Sequence, residues 1–213
     1  MSIFYWFCWV VAYLPIRILW PTTVVNKKNL HVKSKQIFAC NHMSNLDPVI
    51  LKSHQHKKSY VLAKHTLFKN KFVGACLKAF GGIPVNREEV GISTIKTTIK
   101  LLNDNHQLLI FPEGTRKTSI DDANALKNGM ALFALKTNTS ITPMVFLKKP
   151  KLFRFNKILV GEPIDMSAYE GQKPTKEVLS EISDKVLNKM QNLRNDYIAS
   201  LPEKKQAKLL KQI

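Results

Sequence analysis

Short apolar runs that break off into polar, chemistry-bearing segments constrain this chain more than any other feature. The sharpest case is Gln36-Ile37-Phe38-Ala39-Cys40, which gives way at once to Asn41-His42-Met43-Ser44-Asn45-Leu46-Asp47-Pro48. The apolar part reads as a strand, and Asp47-Pro48 reads as an N-cap followed by proline at the first helical position. Leu30 to Ala39 is expected as two strands joined by the polar turn Lys33-Ser34-Lys35, and Asp47 to about His54 as a short helix. The plan then repeats. Ser59 to Lys64 is a strand ending in a cation. Phe68 to Phe80 has helical spacing, with Phe72, Cys76, Leu77 and Phe80 expected toward the core and Gly81-Gly82 as the stop. Ile83-Pro84-Val85 gives a short strand that ends at Arg87.

From Glu89 to Asn103, Ile92, Ile95, Ile99 and Leu102 share one helical face, with Glu88 and Glu89 at its positive end. Gln107 to Phe111 is a buried strand running into Pro112-Glu113-Gly114-Thr115-Arg116. A helix over Ala123 to Lys136, strands over Ile141 to Leu147 and Lys157 to Gly161, and a long helix from Thr175 to about Leu201 complete the pattern. Strand and helix alternate throughout, which predicts an α/β fold: a mainly parallel mixed sheet flanked by helices. In such sheets side chains at strand ends project into the crevice where ligands bind, so polar segments placed there are expected to converge on one rim.

His42 is the natural base of that rim. Histidine titrates near neutrality and can take a proton from a hydroxyl, while a carboxylate on its other ring nitrogen fixes the tautomer and stabilises the imidazolium. Asp47, five residues on, is the candidate carboxylate. Asn41, Ser44 and Asn45 read as loop-forming hydrogen bonders. Arg87 and Arg116 are planar, permanently charged forks suited to a phosphate, and Lys64 adds a third cation. Gly114 suits a positive φ or a close backbone approach, with Glu113 ordering the loop or a ligand. There is no Gly-x-Ser-x-Gly elbow and no serine hydrolase triad.

Taken in order, His42-x4-Asp47, Lys64 in Val-Leu-Ala-Lys, Gly81-Gly82-Ile83-Pro84-Val85-Asn86-Arg87, Phe111-Pro112-Glu113-Gly114-Thr115-Arg116 and Ile141-Thr142-Pro143-Met144-Val145 resemble the sequence blocks of the glycerolipid acyltransferases. The resemblance covers residues about 36 to 147 and is nearest to the bacterial 1-acylglycerol-3-phosphate acyltransferases. Asn86 stands where many members carry Asp, and Thr142-Pro143-Met144 is a loose version of the last block. The resemblance implies an enzyme, a 1-acylglycerol-3-phosphate O-acyltransferase, in which His42 activates the hydroxyl of lysophosphatidate for attack on a fatty acyl thioester. It also implies substrate-binding roles for Lys64, Arg87, Glu113, Gly114, Thr115 and Arg116, with phosphatidate as product. No cofactor is implied beyond the thioester co-substrate, acyl-CoA or acyl carrier protein, and no metal. Glycerol-3-phosphate or another lysophospholipid as acceptor, and an inactive lipid-binding scaffold, stand as alternatives.

Charge bears on the partners. Lysine and arginine total 33 against 15 acidic residues, a net charge of +18 on 213 residues. The surface attracts an anion: a membrane lipid, a phosphorylated metabolite or acidic carrier protein, or nucleic acid. No helix-turn-helix, zinc-finger or RNP-type motif supports the last. Cys8, Cys40 and Cys76 are widely spaced in apolar surroundings and read as buried free thiols of a reducing compartment. His54 and His56 lie two apart without a third ligand candidate, which is poor metal geometry.

The apolar stretch Ile3 to Leu14 carries Phe4, Tyr5, Trp6, Phe7, Trp9 and Tyr13, followed by Pro15, Arg17 and Trp20. As helix it spans about 18 Å, short of the roughly 30 Å of bilayer hydrocarbon. The amphipathic rings suit headgroup depth, with Arg17 reaching phosphate, so a monotopic interfacial anchor is expected, and the donor that the resemblance implies, with the thiol usage, places it on the cytoplasmic face. The expected divisions are an anchor over 1–28, an acyltransferase domain over 29–202 and a basic tail over 203–213 with Lys204, Lys205, Lys208 and Lys211.

Overall fold

A computed structural model describes residues 11, 13–55, 57–86, 90–116 and 126–211. Expectations for most of the Ile3 to Leu14 stretch, Cys8, His56, Arg87 to Glu89 and the start of the helix expected from Ala123 lie outside the described residues.

The strands are β1 (Thr22–Val25), β2 (Gln36–Cys40), β3 (Ser59–Lys64), β4 (Gly82–Val85), β5 (Gln107–Ile110), β6 (Ile141–Phe146) and β7 (Asn156–Val160). The helices are α1 (residues 13–19), α2 (Asp47–Ser53), α3 (Lys71–Ala79), α4 (Ile92–Asn103), α5 (Gly129–Thr137), α6 (Lys176–Ala199) and α7 (Glu203–Leu210). The strands form one sheet in the order β1-β7-β6-β2-β5-β3-β4, and every neighbouring pair is parallel except β6 with β7. The carboxyl ends of β2, β3, β4, β5 and β6 therefore share one edge. β7 and β1 run the other way and begin at that edge.

Alternation along β2 explains the layers. Ile37 and Ala39 face a core completed by α4, α5 and α6, through Leu102, Met130, Phe133, Ile182, Val186 and Met190. Phe38 and Cys40 face the opposite core, closed by Ile50 and Leu51 of α2. Since successive strand residues point to opposite faces, a central strand covered on both sides must be apolar throughout, as β2 is from Ile37 to Cys40. Pro84 lies on the edge strand β4, where a missing N–H is tolerated.

Several expectations are corrected. Leu30 closes a 3-10 turn (Lys27–Leu30) and residues 31–35 form no strand; the preceding strand is β1, which pairs with β7 and brings Thr22–Val25 into the sheet. Asp47 is inside α2, whose N-cap is Leu46, and its carboxylate is used elsewhere. In α3, Phe72 is exposed and Cys76, Leu77 and Phe80 are only half-buried; the buried residue is Gly74. Among the described residues that face meets α1, whose Tyr13 ring lies 5.8 Å from Phe80. Ile92 at the start of α4 is exposed, while Thr98 and Leu102 are buried. The basic tail is helical as α7. Tyr13 is buried rather than interfacial, and the Arg17 guanidinium donates to the Ser53 carbonyl. Among the described residues no helix is long and apolar enough to cross a membrane.

Candidate active site

β2 ends at Cys40, and the next two residues turn its direction into a position for a base. Asn41 is held by β6: its amide nitrogen donates to the Phe146 carbonyl at 3.1 Å, and the Phe146 N–H donates to Asn41 Oδ1 at 2.7 Å. His42 follows, buried, with Nδ1 at 3.0 Å from Asp47 Oδ2. The same carboxylate oxygen accepts from the backbone N–H of Met43 at 2.7 Å and of Ser44 at 2.6 Å. Three contacts thus converge on one carboxylate oxygen, and the contact with Nδ1 fixes the orientation of the ring, leaving Nε2 on its other side. Phe111 packs against the imidazole, with ring centroids 4.4 Å apart and a 32° tilt.

α2 holds Asp47 from behind and is itself held at its far end. Buried Lys52 donates to the carbonyls of Ser59 and Phe80, linking the start of β3 to the end of α3. Burial, and then the neighbouring Lys58, lower its pKa from 10.5 to about 7. Gly81 has a φ of +81°, and a Cβ there would meet the Ser59 carbonyl oxygen at 2.8 Å, so only glycine suits this junction.

His42 lines an apolar cavity of about 210 Å³ whose walls include Leu62, Val85, Ile110, Met130 and Phe133. Gly114 and Lys127 also line it. Gly114 has a φ of +72°, and a Cβ on it would lie 2.5 Å from Lys127 Cε, so the lysine side chain runs directly across the glycine. Its backbone is tied to the same turn, with Lys127 N–H donating to Pro112 O at 2.8 Å. Glu113 is buried on the same turn; burial first, then the charges of Asp47 and Glu113, push the Cys40 thiol well above its usual pKa. Cys40 is buried and inert, whereas Cys76 is only half-buried, against expectation.

The structure thus puts His42 and Gly114 on the wall of one cavity, with Asp47 bonded to His42 and buried Glu113 next to Gly114 in the chain. Thr115 and Arg116 follow on the same turn and are exposed. Lys64 is exposed at the end of β3, in register with Val85 of β4, on the same edge. Arg87 lies outside the described residues. Lys127 was missed by sequence reasoning because it fell inside an expected helix from Ala123, where a lysine reads as solvated. α5 begins at Gly129, so Lys127 is in the loop that returns to the cavity. The cue was a lone cation between apolar Leu126 and Asn128-Gly129. Among the described residues no group of three or more His, Cys, Asp or Glu is placed to hold a metal ion.

A buried histidine–carboxylate pair at the wall of an apolar cavity, with Lys127 also lining it, is the site that the fold presents. The chain belongs to the acyltransferase family, whose model matches residues 21–147. It is 33% identical over 182 residues to the 1-acyl-sn-glycerol-3-phosphate acyltransferase of Bacillus subtilis, covering 81% of this chain and 87% of that protein. It is 30% identical over 186 residues to the enzyme of the same name from Borreliella burgdorferi, covering 80% of this chain and 72% of the relative. The crystal structure of the 1-acyl-sn-glycerophosphate acyltransferase from Thermotoga maritima shares the fold, with a TM-score of 0.60 at 20% identity over 80% of this chain and 72% of that one.

Proposed function

We propose that this protein transfers a fatty acyl group from a thioester, acyl-CoA or acyl carrier protein, to the free hydroxyl of 1-acylglycerol-3-phosphate, releasing phosphatidate and the free thiol. The observation that carries the reading is the buried His42–Asp47 pair, 3.0 Å apart, at the wall of the apolar cavity. The names of the Bacillus and Borreliella relatives support the acceptor.

In this reading His42 Nε2 takes the hydroxyl proton as the oxygen attacks the thioester carbonyl, and Asp47 stabilises the imidazolium formed. The tetrahedral oxyanion collapses by breaking the C–S bond, and the imidazolium returns its proton to the leaving thiolate. A thioester is already activated, so a base, charge stabilisation and positioning suffice and no cofactor is assigned. The acyl chain occupies the apolar cavity. Arg116, Lys64, Arg87 and Lys127 hold the acceptor phosphate, Glu113 orders the turn between them, and Gly114 with Thr115 lets the backbone approach the substrate. The net charge of +18 suits an anionic membrane surface and an acidic donor at the cytoplasmic face.

Phosphatidate formation by the purified, detergent-solubilised chain, given lysophosphatidate with each donor separately, tests the proposal beside His42→Ala. Product that disappears in the variant is expected. A folded protein that makes none with either donor overturns the reading, and product from glycerol-3-phosphate alone reassigns the acceptor.

A further inference from the structure

Large apolar side chains left outside the core gather on the sheet edge that carries His42. The connection from β6 to β7, residues 147–155, leaves the sheet where Asn41 grips Phe146. Because β7 is antiparallel to β6 and β1 is parallel to β7, with Thr22 in register with Asn156, α1 also enters the sheet at this edge. The two segments are joined: Phe153 N–H donates to Leu19 O at 2.7 Å, and Asn156 N–H to Pro21 O at 2.8 Å. Together they expose Phe155 (81%), Phe153 (67%) and Leu152 (48%) on the loop, with Ile18 (63%) beside Leu19 near the end of α1.

The loop is built rather than slack. Lys151 N–H donates to Asn156 Oδ1 at 3.1 Å and Arg154 N–H to Lys151 O at 3.3 Å, forming a turn whose tip is Leu152-Phe153. Phe153 has a φ of +52°, a left-handed conformation that costs a bulky L-residue steric strain. Fold stability would favour glycine there and gains nothing from an exposed phenyl ring. Between Leu147 and Phe155 the sequence is Lys-Lys-Pro-Lys-Leu-Phe-Arg-Phe after the leucine, with four cations and no carboxylate, and Lys149, Lys151 and Arg154 are exposed. Apolar and aromatic tips ringed by cations match the boundary between acyl chains and anionic headgroups, where rings bury and lysine stems reach phosphate.

We propose that Leu152, Phe153 and Phe155 are a membrane-inserting tip, separate from the N-terminal aromatic stretch, that seats the His42 edge of the sheet on an anionic bilayer, with Lys149, Lys151 and Arg154 against lipid phosphates. The occupant is a lipid surface because the patch is cationic as well as apolar, and it lies on the edge where a lipid would enter the cavity. The assignment does not depend on which acceptor the enzyme uses.

Two measurements on the full chain test it. In the first, Phe153→Cys carrying an environment-sensitive fluorophore, with Cys8 and Cys76 replaced, is mixed with vesicles of phosphatidylglycerol and phosphatidylethanolamine. Blue-shifted emission, quenched by nitroxide placed high on the lipid chains, is expected. In the second, Phe153→Gly with Phe155→Ser, which removes both rings and relieves the positive φ, is expected to lower partition onto those vesicles at least tenfold with an unchanged circular dichroism spectrum. An aqueous emission spectrum on vesicle-bound protein, partition equal to the parent, or a dimer in solution that buries the labelled position overturns the proposal.

Discussion

Asn41 and Phe146 lie 105 positions apart in the chain, and the side chain of one replaces a strand partner for the other, accepting from its N–H at 2.7 Å and donating to its C=O at 3.1 Å. Asn41 thereby extends the β2–β6 pairing one residue past the last strand residue, and His42 starts from that fixed point. Asn41→Ala leaves both backbone groups of Phe146 without this partner in a buried setting. The expected cost is about 2 kcal/mol of stability, measured by urea unfolding, together with a fall in kcat on the order of tenfold from a displaced imidazole. Unchanged kcat in a destabilised variant would limit Asn41 to a structural role.

Asp47 carries two tasks, orienting His42 and accepting from the N–H groups of Met43 and Ser44. Asp47→Asn presents an amide to the ring and removes the charge proposed to stabilise the imidazolium. A fall in kcat on the order of 10³-fold with a small change in KM is expected. An equal loss in kcat from a misfolded variant is distinguished by its circular dichroism spectrum. His42→Ala is expected to abolish turnover while retaining the fold.

Lys127 crossing Gly114 gives a prediction that combines two positions. Lys127→Ala removes one of the cations proposed to hold the acceptor phosphate, and a rise in KM for the phosphorylated acceptor of about tenfold is expected with kcat little changed. Arg116→Ala should behave alike. Gly114→Ala faces both the positive φ and the lysine stem, at 2.5 Å from Cε. Adding Lys127→Ala to Gly114→Ala relieves the clash but not the backbone strain, so the two effects on stability should be non-additive, with the double variant less destabilised than the sum.

Lys52 makes folding depend on pH. Its pKa falls from 10.5 to about 7 on folding because burial penalises the ammonium. Between those values the unfolded chain binds a proton that the folded chain does not, so the stability contributed here rises with pH and is lost as pH falls toward 7. The unfolding free energy of the parent minus that of Lys52→Met should therefore grow between pH 7 and 9, by up to about 1.4 kcal/mol per pH unit. A flat difference across that range would mean that Lys52 stays charged against the Ser59 and Phe80 carbonyls.

Much of this architecture is readable without coordinates. The apolar runs ending in His42, Lys64 and Pro112, separated by segments of helical period, determine strands that alternate with helices, and that alternation leads to a largely parallel sheet because each crossover returns the chain to the same edge. The spacing from His42 to Asp47 is short enough for a local contact, so the pair was visible from sequence. Tertiary structure alone decided the rest. Helical period identified α3 and α4 but not what covers them, and Phe72 and Ile92 proved exposed because among the described residues no layer lies over their outer turns. β1 is too short to show a period, and its place in the sheet comes from pairing with β7, more than a hundred residues away. Lys127 reached the cavity only through the delayed start of α5, and the loop carrying Phe153 joined α1 only through the reversed direction of β7. Local composition sets which segments can bury a face; long-range register sets which faces meet, and no single segment contains that information.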